Sequence, residues 1–179
     1  MVDALVELPL GEAIDAATTL LQQTHQILPV STQLLERLRQ NLDDESGARQ
    51  ILKVLVTYGA PNPALTDQLL ELLDISECPR EVIETVAALA GNKQHELEKI
   101  IVAFQEFMRS AEEDLWLSII GALSELEISS EKLRNKVFKL ITESLEIVKE
   151  EDVPVVVRTL LHTVTKATAP QVVRLIRKQ

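Results

Sequence analysis

The sequence predicts an all-α protein whose helices stack in antiparallel pairs. Apolar residues recur at helical spacing almost throughout, as over residues 97–108, where they mark one side of a helix. Only 5 of the 179 residues are glycine and 3% are aromatic. This composition disfavours β-sandwiches, β-barrels and the glycine-rich phosphate loops of α/β enzymes. The helix pairs also begin at nearly regular steps, which indicates a repeat.

The apolar spacing and the breaks in it predict ten helices. They lie near residues 13–27, 31–42, 46–58, 63–73, 79–90, 93–109, 112–126, 130–148, 152–165 and 169–178. Short connections make successive helices antiparallel neighbours.

The predicted pairs begin near residues 13, 46, 79, 112 and 152, in steps of 33, 33, 33 and about 40 residues. One pair of this length cannot bury its own apolar stripe, so the pairs must stack. We therefore predict an α-solenoid of about five antiparallel helix pairs, HEAT/ARM-like, in a single domain over residues 1–179. A closed globular bundle is the alternative.

Capping residues and prolines predict several helix starts. Asn62 is a capping amide that precedes a first-turn proline, and Pro79 and Pro154 are also predicted in first turns. Two capping boxes are predicted, at Ser110–Glu113 and at Thr168–Gln171.

Three glycines carry conformational expectations. Gly59 and Gly91 follow apolar runs and suit the left-handed position that ends many helices. Gly121 lies in mid-helix, where glycine costs about 1 kcal/mol relative to alanine. We expect it to permit the close approach of a second helix.

The charge distribution limits the possible partners. The formal net charge is −10 and the isoelectric point is near 4.8, with net −9 over residues 1–100, −4 over 101–150 and +3 over 151–179. Nucleic acids and anionic lipids repel such a polyanion. We expect no membrane partner, and contact with DNA only indirectly or through the basic C-terminal end.

That basic end supplies the candidate residues for binding a partner or a phosphate. They are Arg158, His162, Lys166, Arg174 and Arg177. The alternative is that these bases complement helix dipoles near the C-terminus.

Residues with catalytic potential are scattered along the chain. The three histidines, His25, His95 and His162, lie far apart, and the glycines form no nucleotide-binding motif. We interpret Cys78, the only cysteine, as a small helix cap or a half-buried residue rather than an activated thiol. Trp116 is interpreted as a core or inter-repeat anchor, with an exposed binding hot spot as the alternative. We expect no enzyme, cofactor, metal or small-molecule substrate.

Cysteine content and the N-terminus predict an intracellular, soluble protein. A lone cysteine permits no internal disulfide, which fits a reducing compartment. The first seven residues are acidic and lack the basic start of a signal peptide.

Four segments resemble, in order and spacing, helices in the N-terminal half of the Fanconi anaemia group D2 family. The segment 150–165, Glu-Glu-Asp-Val-Pro-Val-Val-Val-Arg-Thr-Leu-Leu-His-Thr-Val-Thr, is similar to a family helix that contains Leu-His-Ser-Val-Thr. Upstream, 91–95 resembles the family's Gly-Asp-Ser-Gln-His, and 119–126 and 133–140 resemble two intervening helices. The resemblance covers about residues 75–178.

The resemblance implies a nuclear α-solenoid scaffold that pairs with the Fanconi anaemia group I protein. Together they clamp DNA in interstrand crosslink repair, and monoubiquitination locks the clamp. Family members are several times longer than 179 residues, so we expect a fragment or a reduced relative. The family's ubiquitin-acceptor lysine lies beyond the matching stretch. We therefore expect a non-catalytic module that binds protein partners, with a generic HEAT-like adaptor in trafficking, transport or cytoskeletal complexes as the alternative.

Overall fold

The computed structural model describes residues 5, 7–23, 26–145 and 149–176 of the chain. Within these ranges it contains ten α-helices and no β-strand, which confirms the predicted all-α class. The helices are α1 (Leu10–Gln23), α2 (Ile27–Gln40), α3 (Glu45–Tyr58), α4 (Pro63–Leu70), α5 (Pro79–Leu89), α6 (Gln94–Phe107), α7 (Glu113–Glu125), α8 (Glu131–Ser144), α9 (Val153–Thr163) and α10 (Ala169–Ile176). None of the described helices is long and apolar enough to cross a membrane.

The predicted helix limits agree with the structure to within about one turn. The largest shift at a helix start is in α1 and α2, which begin about a turn earlier than their apolar stripes indicate. Pro29 lies in the first turn of α2, where a missing amide proton is tolerated because first-turn amides have no partner within the helix. In α1 the Ala13 amide donates to the Pro9 carbonyl at 2.9 Å.

Residues Met1–Gly91 form one compact unit, which contains α1 to α5. Helix α3 contacts both α1 and α5, and α2 contacts α4. Each of these helices therefore packs against the helix two positions further along the chain. Contacts of α2 with α1 and α3, and of α5 with α4, join the two layers. The core consists of buried aliphatic side chains, among them Val30, Leu34, Leu35, Leu38, Ile51, Leu52, Leu55, Leu69, Val82 and Ile83.

Residues Asn92–Gln179 form a second compact unit, which contains α6 to α10. Helix α6 contacts α8, α7 contacts α9, and α8 contacts both α7 and α9. Its core includes Ile100, Ile101, Phe104, Ile119, Ile120, Leu123, Val137, Phe138, Ile141 and Val156. Packing on the next helix and the next but one is typical of an α-solenoid, so the predicted fold class is confirmed. The single domain over residues 1–179 and the HEAT/ARM-like type of repeat stay predictions.

Most of the predicted helix starts are confirmed at the level of individual atoms. The Asn62 side-chain oxygen accepts from the amides of Ala64 at 2.9 Å and Leu65 at 3.2 Å. Pro79 and Pro154 both lie in first turns. Thr168 directly precedes α10 as predicted, but the predicted capping box is wrong: the Thr168 hydroxyl accepts from the Thr165 amide at 2.9 Å, and the Gln171 amide donates to the Thr168 carbonyl at 2.9 Å.

The capping box predicted at Ser110 is wrong. Helix α7 begins at Glu113, and its N-cap is Glu112, which makes no side-chain capping bond. The Ser110 hydroxyl instead donates to the Phe107 carbonyl at 3.2 Å. A serine just beyond a helix has both options, and here the end of the preceding helix takes the hydroxyl.

The glycine expectations are corrected. No described glycine has a positive φ, so Gly59 and Gly91 are not left-handed. Gly59 has φ −66° and ψ 162°, and a Cβ there would collide with the Leu55 carbonyl oxygen and the Leu89 side chain. A Cβ on Gly121 would meet nothing within 4 Å, so the expected close approach of a second helix is wrong.

Candidate partner-binding face

Helix α9 presents two of the predicted partner-contacting residues on its exposed side. Val156, Thr159, Leu160 and Thr163 are buried where the helix packs against α7 and α8. Arg158 and His162 are exposed. They are four residues apart, so they are neighbours on the helix surface.

Two large apolar side chains accompany these residues. Val155 is 51% exposed and Leu161 is 54% exposed. Neither exposed position is predictable from the sequence, because α9 contains more aliphatic residues than one buried stripe requires. This excess of aliphatic residues is itself evidence for an exposed apolar surface. When Val156 and Leu160 face inward, some of the remaining aliphatic residues must face solvent.

The valine-rich start of α9 has a low helix propensity, since β-branched residues lose rotamer freedom in helices. Pro154 in the first turn offsets part of this cost because its φ is already helical. The Asp152 carbonyl accepts from the amides of Val155 at 3.0 Å and Val156 at 3.2 Å. Packing of the inner side on α7 and α8 then stabilises the helix.

A buried hydrogen-bond cluster fixes the turn between α9 and α10. The Thr165 hydroxyl donates to the side-chain oxygen of Asn135, on α8, at 2.7 Å. The Thr165 amide donates to the Thr168 hydroxyl at 2.9 Å, and both threonines are buried. Lys166 lies between them in sequence and is exposed, so the cluster holds the backbone that carries this cation.

Helix α10 carries the next predicted residue. Val172 is buried, whereas Val173 is 49% exposed and Arg174 is exposed. The structure therefore brings Arg158 and His162 together on one helix and places Lys166 and Arg174 on the following turn and helix. Arg177 lies outside the described residues.

The exposed side of α9, with Val155, Arg158, Leu161 and His162, is called the basic face. The sequence contains no aspartate or glutamate from Val153 to Gln179. Exposed single ion pairs contribute only about 0–1 kcal/mol each, so cations alone give little affinity. Exposed aliphatic side chains between the cations add apolar area, a combination that suits an acidic partner with apolar anchors.

The three histidines give no sign of a shared metal site. His95 and His162 are exposed, and His25 lies outside the described residues. In the described part of the chain no group of three or more histidine, cysteine or acidic residues could hold a metal ion.

Cys78 is the N-cap residue of α5 and is buried. Its thiol lies 3.6 Å from the Glu45 carbonyl oxygen. Burial raises the pKa of the Cys78 thiol, and the carboxylate of Glu81 raises it further. This agrees with its interpretation as a small capping residue, because a reactive cysteine needs a lowered pKa and access to solvent.

Comparison with models of known protein families identifies a family that matches the chain. The family model described as Fanconi anaemia protein FancD2 nuclease matches residues 60–179, which include α9 and α10. No curated protein and no solved structure matched the chain. The family match extends further toward the N-terminus than the resemblance over residues 75–178.

Proposed function

The chain belongs to the FancD2 family, and on this premise we propose that it is a non-catalytic helical-repeat module that binds a protein partner. The observation that supports the proposal is the exposed side of α9. Arg158 and His162 lie one turn apart there, beside Val155 and Leu161, which are both about half exposed. Exposed aliphatic and cationic side chains on a firmly packed helix are typical of protein interaction surfaces.

The proposed partner, by resemblance, is the Fanconi anaemia group I protein, and the proposed location is the nucleus. In this proposal the module belongs to a scaffold that acts in interstrand crosslink repair. Its own net charge of −10 favours an arrangement in which DNA is engaged elsewhere in the complex.

The test measures binding of the purified group I protein to the chain by calorimetry. We expect Arg158→Glu to weaken binding by about tenfold, which corresponds to about 1.4 kcal/mol. The matched control is Lys132→Glu, which makes the same charge change at an exposed residue of α8. We expect the control to bind like the parent chain.

Two outcomes would contradict the proposal. Equal binding by the parent and both variants would exclude the basic face as the contact. Absence of binding by the parent chain would exclude the group I protein as its partner and leave the generic adaptor as the better hypothesis.

The description of the matching family contains the word nuclease, so a catalytic function needs its own test. The chain is incubated with single-stranded, duplex and branched DNA in the presence of Mg²⁺ or Mn²⁺, and the products are separated on denaturing gels. We expect intact substrates. Cleavage that follows the protein peak through size-exclusion chromatography would show that the module is an enzyme.

A further inference from the structure

The basic face contains two aliphatic side chains and a cation in one row. Val155, Arg158 and Leu161 follow one another at intervals of three residues, and all three are exposed. Residues three apart are neighbours on a helix surface. The row therefore runs obliquely along α9, with Arg158 between two apolar side chains that are each about half exposed.

The spacing of this row fits another helix. Its consecutive members lie about 4.5 Å apart along the axis of α9, because each residue advances a helix by about 1.5 Å. Every third residue of a second helix has the same spacing, and rows of this kind fit the grooves of a neighbouring helix. Side chains on one side of an extended chain recur only about every 6.7 Å. An extended segment would therefore leave part of the row uncovered.

The charge of the chain changes sign from one end of α9 to the other. Residues 149–152, Lys-Glu-Glu-Asp, immediately precede the helix and carry one positive and three negative charges, which gives a net charge of −2. The first three of them are exposed. Arg158 lies in the middle of α9, and the exposed Lys166 follows the last helical residue by three positions. The start of α9 is therefore acidic, whereas its middle and its end are basic.

This change of sign favours one orientation of a bound helix. Acidic side chains stabilise the N-terminal turn of a helix, and basic side chains stabilise its C-terminal turn. A helix with this charge order that runs antiparallel to α9 brings its acids toward Arg158 and Lys166 and its bases toward residues 149–152. A parallel helix with the same charge order would place like charges together, which is unfavourable.

We propose that the basic face binds an amphipathic helix of a protein partner, antiparallel to α9, that is acidic in its first half and basic at its end. Two aliphatic side chains of this helix, about six residues apart, contact Leu161 and Val155. An acidic side chain midway between them pairs with Arg158. The inference rests on the function proposed for the basic face and adds the chemistry of the segment that the face recognises.

The probe is a synthetic alanine-rich peptide of about 18 residues with blocked ends, which is long enough to be partly helical in water. It has glutamates in its first turn, the pattern Leu-x-x-Glu-x-x-Leu in its middle and lysines in its last turn. Backbone ¹H–¹⁵N NMR signals of the chain are followed as the peptide is added to about 5 mM, since a contact this small gives affinity from high micromolar to millimolar. We expect saturable shifts of the α9 signals.

The direction of the helix and the ion pair are tested separately. A nitroxide label at the N-terminus of the peptide should broaden the Lys166 signal more than the Glu151 signal, and a label at the C-terminus should do the reverse. A peptide with Leu-x-x-Lys-x-x-Leu should bind about fivefold more weakly, and Arg158→Glu should exchange this preference. Arg158 is exposed, so the variant is expected to fold, and Lys132→Glu is the matched control that keeps the parent preference.

Three results would overturn the inference: no shift of the α9 signals, the opposite pattern of broadening, or equal binding of the two peptides by the parent chain. The group I protein distinguishes these results from a failure of the proposed function. If its binding is weakened by Arg158→Glu while the peptide fails, the proposed function stands and only the antiparallel helix is excluded.

Discussion

At the residue scale, Cys78 illustrates how surroundings decide chemistry. Its place before a first-turn proline at a helix start would by itself lower a thiol pKa. Burial acts in the opposite direction and is the largest influence, and the Glu81 carboxylate adds to it, so the pKa of Cys78 is raised. The position of Cys78 before Pro79 identifies the helix start in the sequence. Its burial follows from packing against α3, where the Cys78 thiol meets the Glu45 carbonyl.

The raised pKa of Cys78 predicts a stability loss at alkaline pH. A folded-state pKa above the unfolded value means that the native protein holds its proton more tightly. The contribution of the protonated Cys78 thiol to folding stability is therefore fully present below about pH 8.5, the ordinary thiol pKa. It is lost as pH rises through the pKa of the folded state. Urea unfolding between about pH 7 and pH 10 should show this decline, and Cys78→Ala should show a smaller one. Identical slopes would contradict the pKa direction.

Gly121 offers a stabilising substitution. The space beside its Cα is open within 4 Å, and alanine is favoured over glycine in a helix interior by about 1 kcal/mol. We expect Gly121→Ala to raise the free energy of unfolding by about 0.5–1 kcal/mol, measured by urea denaturation.

Gly47 is the matched contrast for Gly121. A Cβ there would collide with the Leu10 side chain and the Asp44 carboxylate. Gly47→Ala should therefore destabilise by about 0.5–1 kcal/mol, because the ends of the Leu10 and Asp44 side chains must move and Asp44 caps α3 through the Gly47 amide. If Gly47→Ala were more stable to urea than Gly121→Ala, this account of the two sites would be wrong.

At the element scale, the sequence predicted the helices better than their ends. Each helix has an apolar stripe that its neighbours bury, so periodicity located all ten. The cap of α7 was predicted wrongly because the Ser110 hydroxyl donates backward to the Phe107 carbonyl, an alternative that the local sequence leaves open. The outward direction of Val155 and Leu161 was also missed, because it depends on which side of α9 packs against α7 and α8.

The turn between α9 and α10 gives the prediction at this scale. Thr165→Val keeps the shape of the side chain but removes the 2.7 Å hydrogen bond to Asn135 and the contacts of the same hydroxyl with the amide and hydroxyl of Thr168. Loss of this bond should cost about 1–2 kcal/mol because it leaves a partner unpaired in a part-buried place. Amide hydrogen exchange over residues 164–169 should accelerate in this variant.

Thr57→Val is the control for Thr165→Val. The Thr57 hydroxyl bonds only to the Lys53 carbonyl of its own helix at an exposed position. This change should stay within about 0.5 kcal/mol of the parent. An equal effect of both substitutions would mean that the bond to Asn135 contributes nothing specific.

At the scale of the whole molecule, the charge distribution can be predicted from the sequence, whereas a cavity between helices cannot. The basic C-terminal stretch is visible in the sequence, since five basic residues and no acidic residue follow residue 152. A cavity beside Trp116 was not predictable, because residues of three helices line it and only their packing creates the space. Trp116 was expected as an anchor, yet its indole nitrogen has no partner among the described residues.

The charge balance of the chain predicts weak binding to naked DNA. The 28 acidic residues outnumber the 18 lysines and arginines, so approach to a phosphate backbone is unfavourable over most of the surface. We expect a dissociation constant above about 100 µM for a duplex of roughly 30 base pairs at about 150 mM salt, measured by fluorescence anisotropy. Lowering the salt should strengthen binding only slightly, because few counterions are displaced. Tight binding with a steep salt dependence would contradict this expectation. Loss of that binding in a variant with Arg158, Lys166 and Arg174 changed to glutamate would then assign the contact with DNA to the basic C-terminal end.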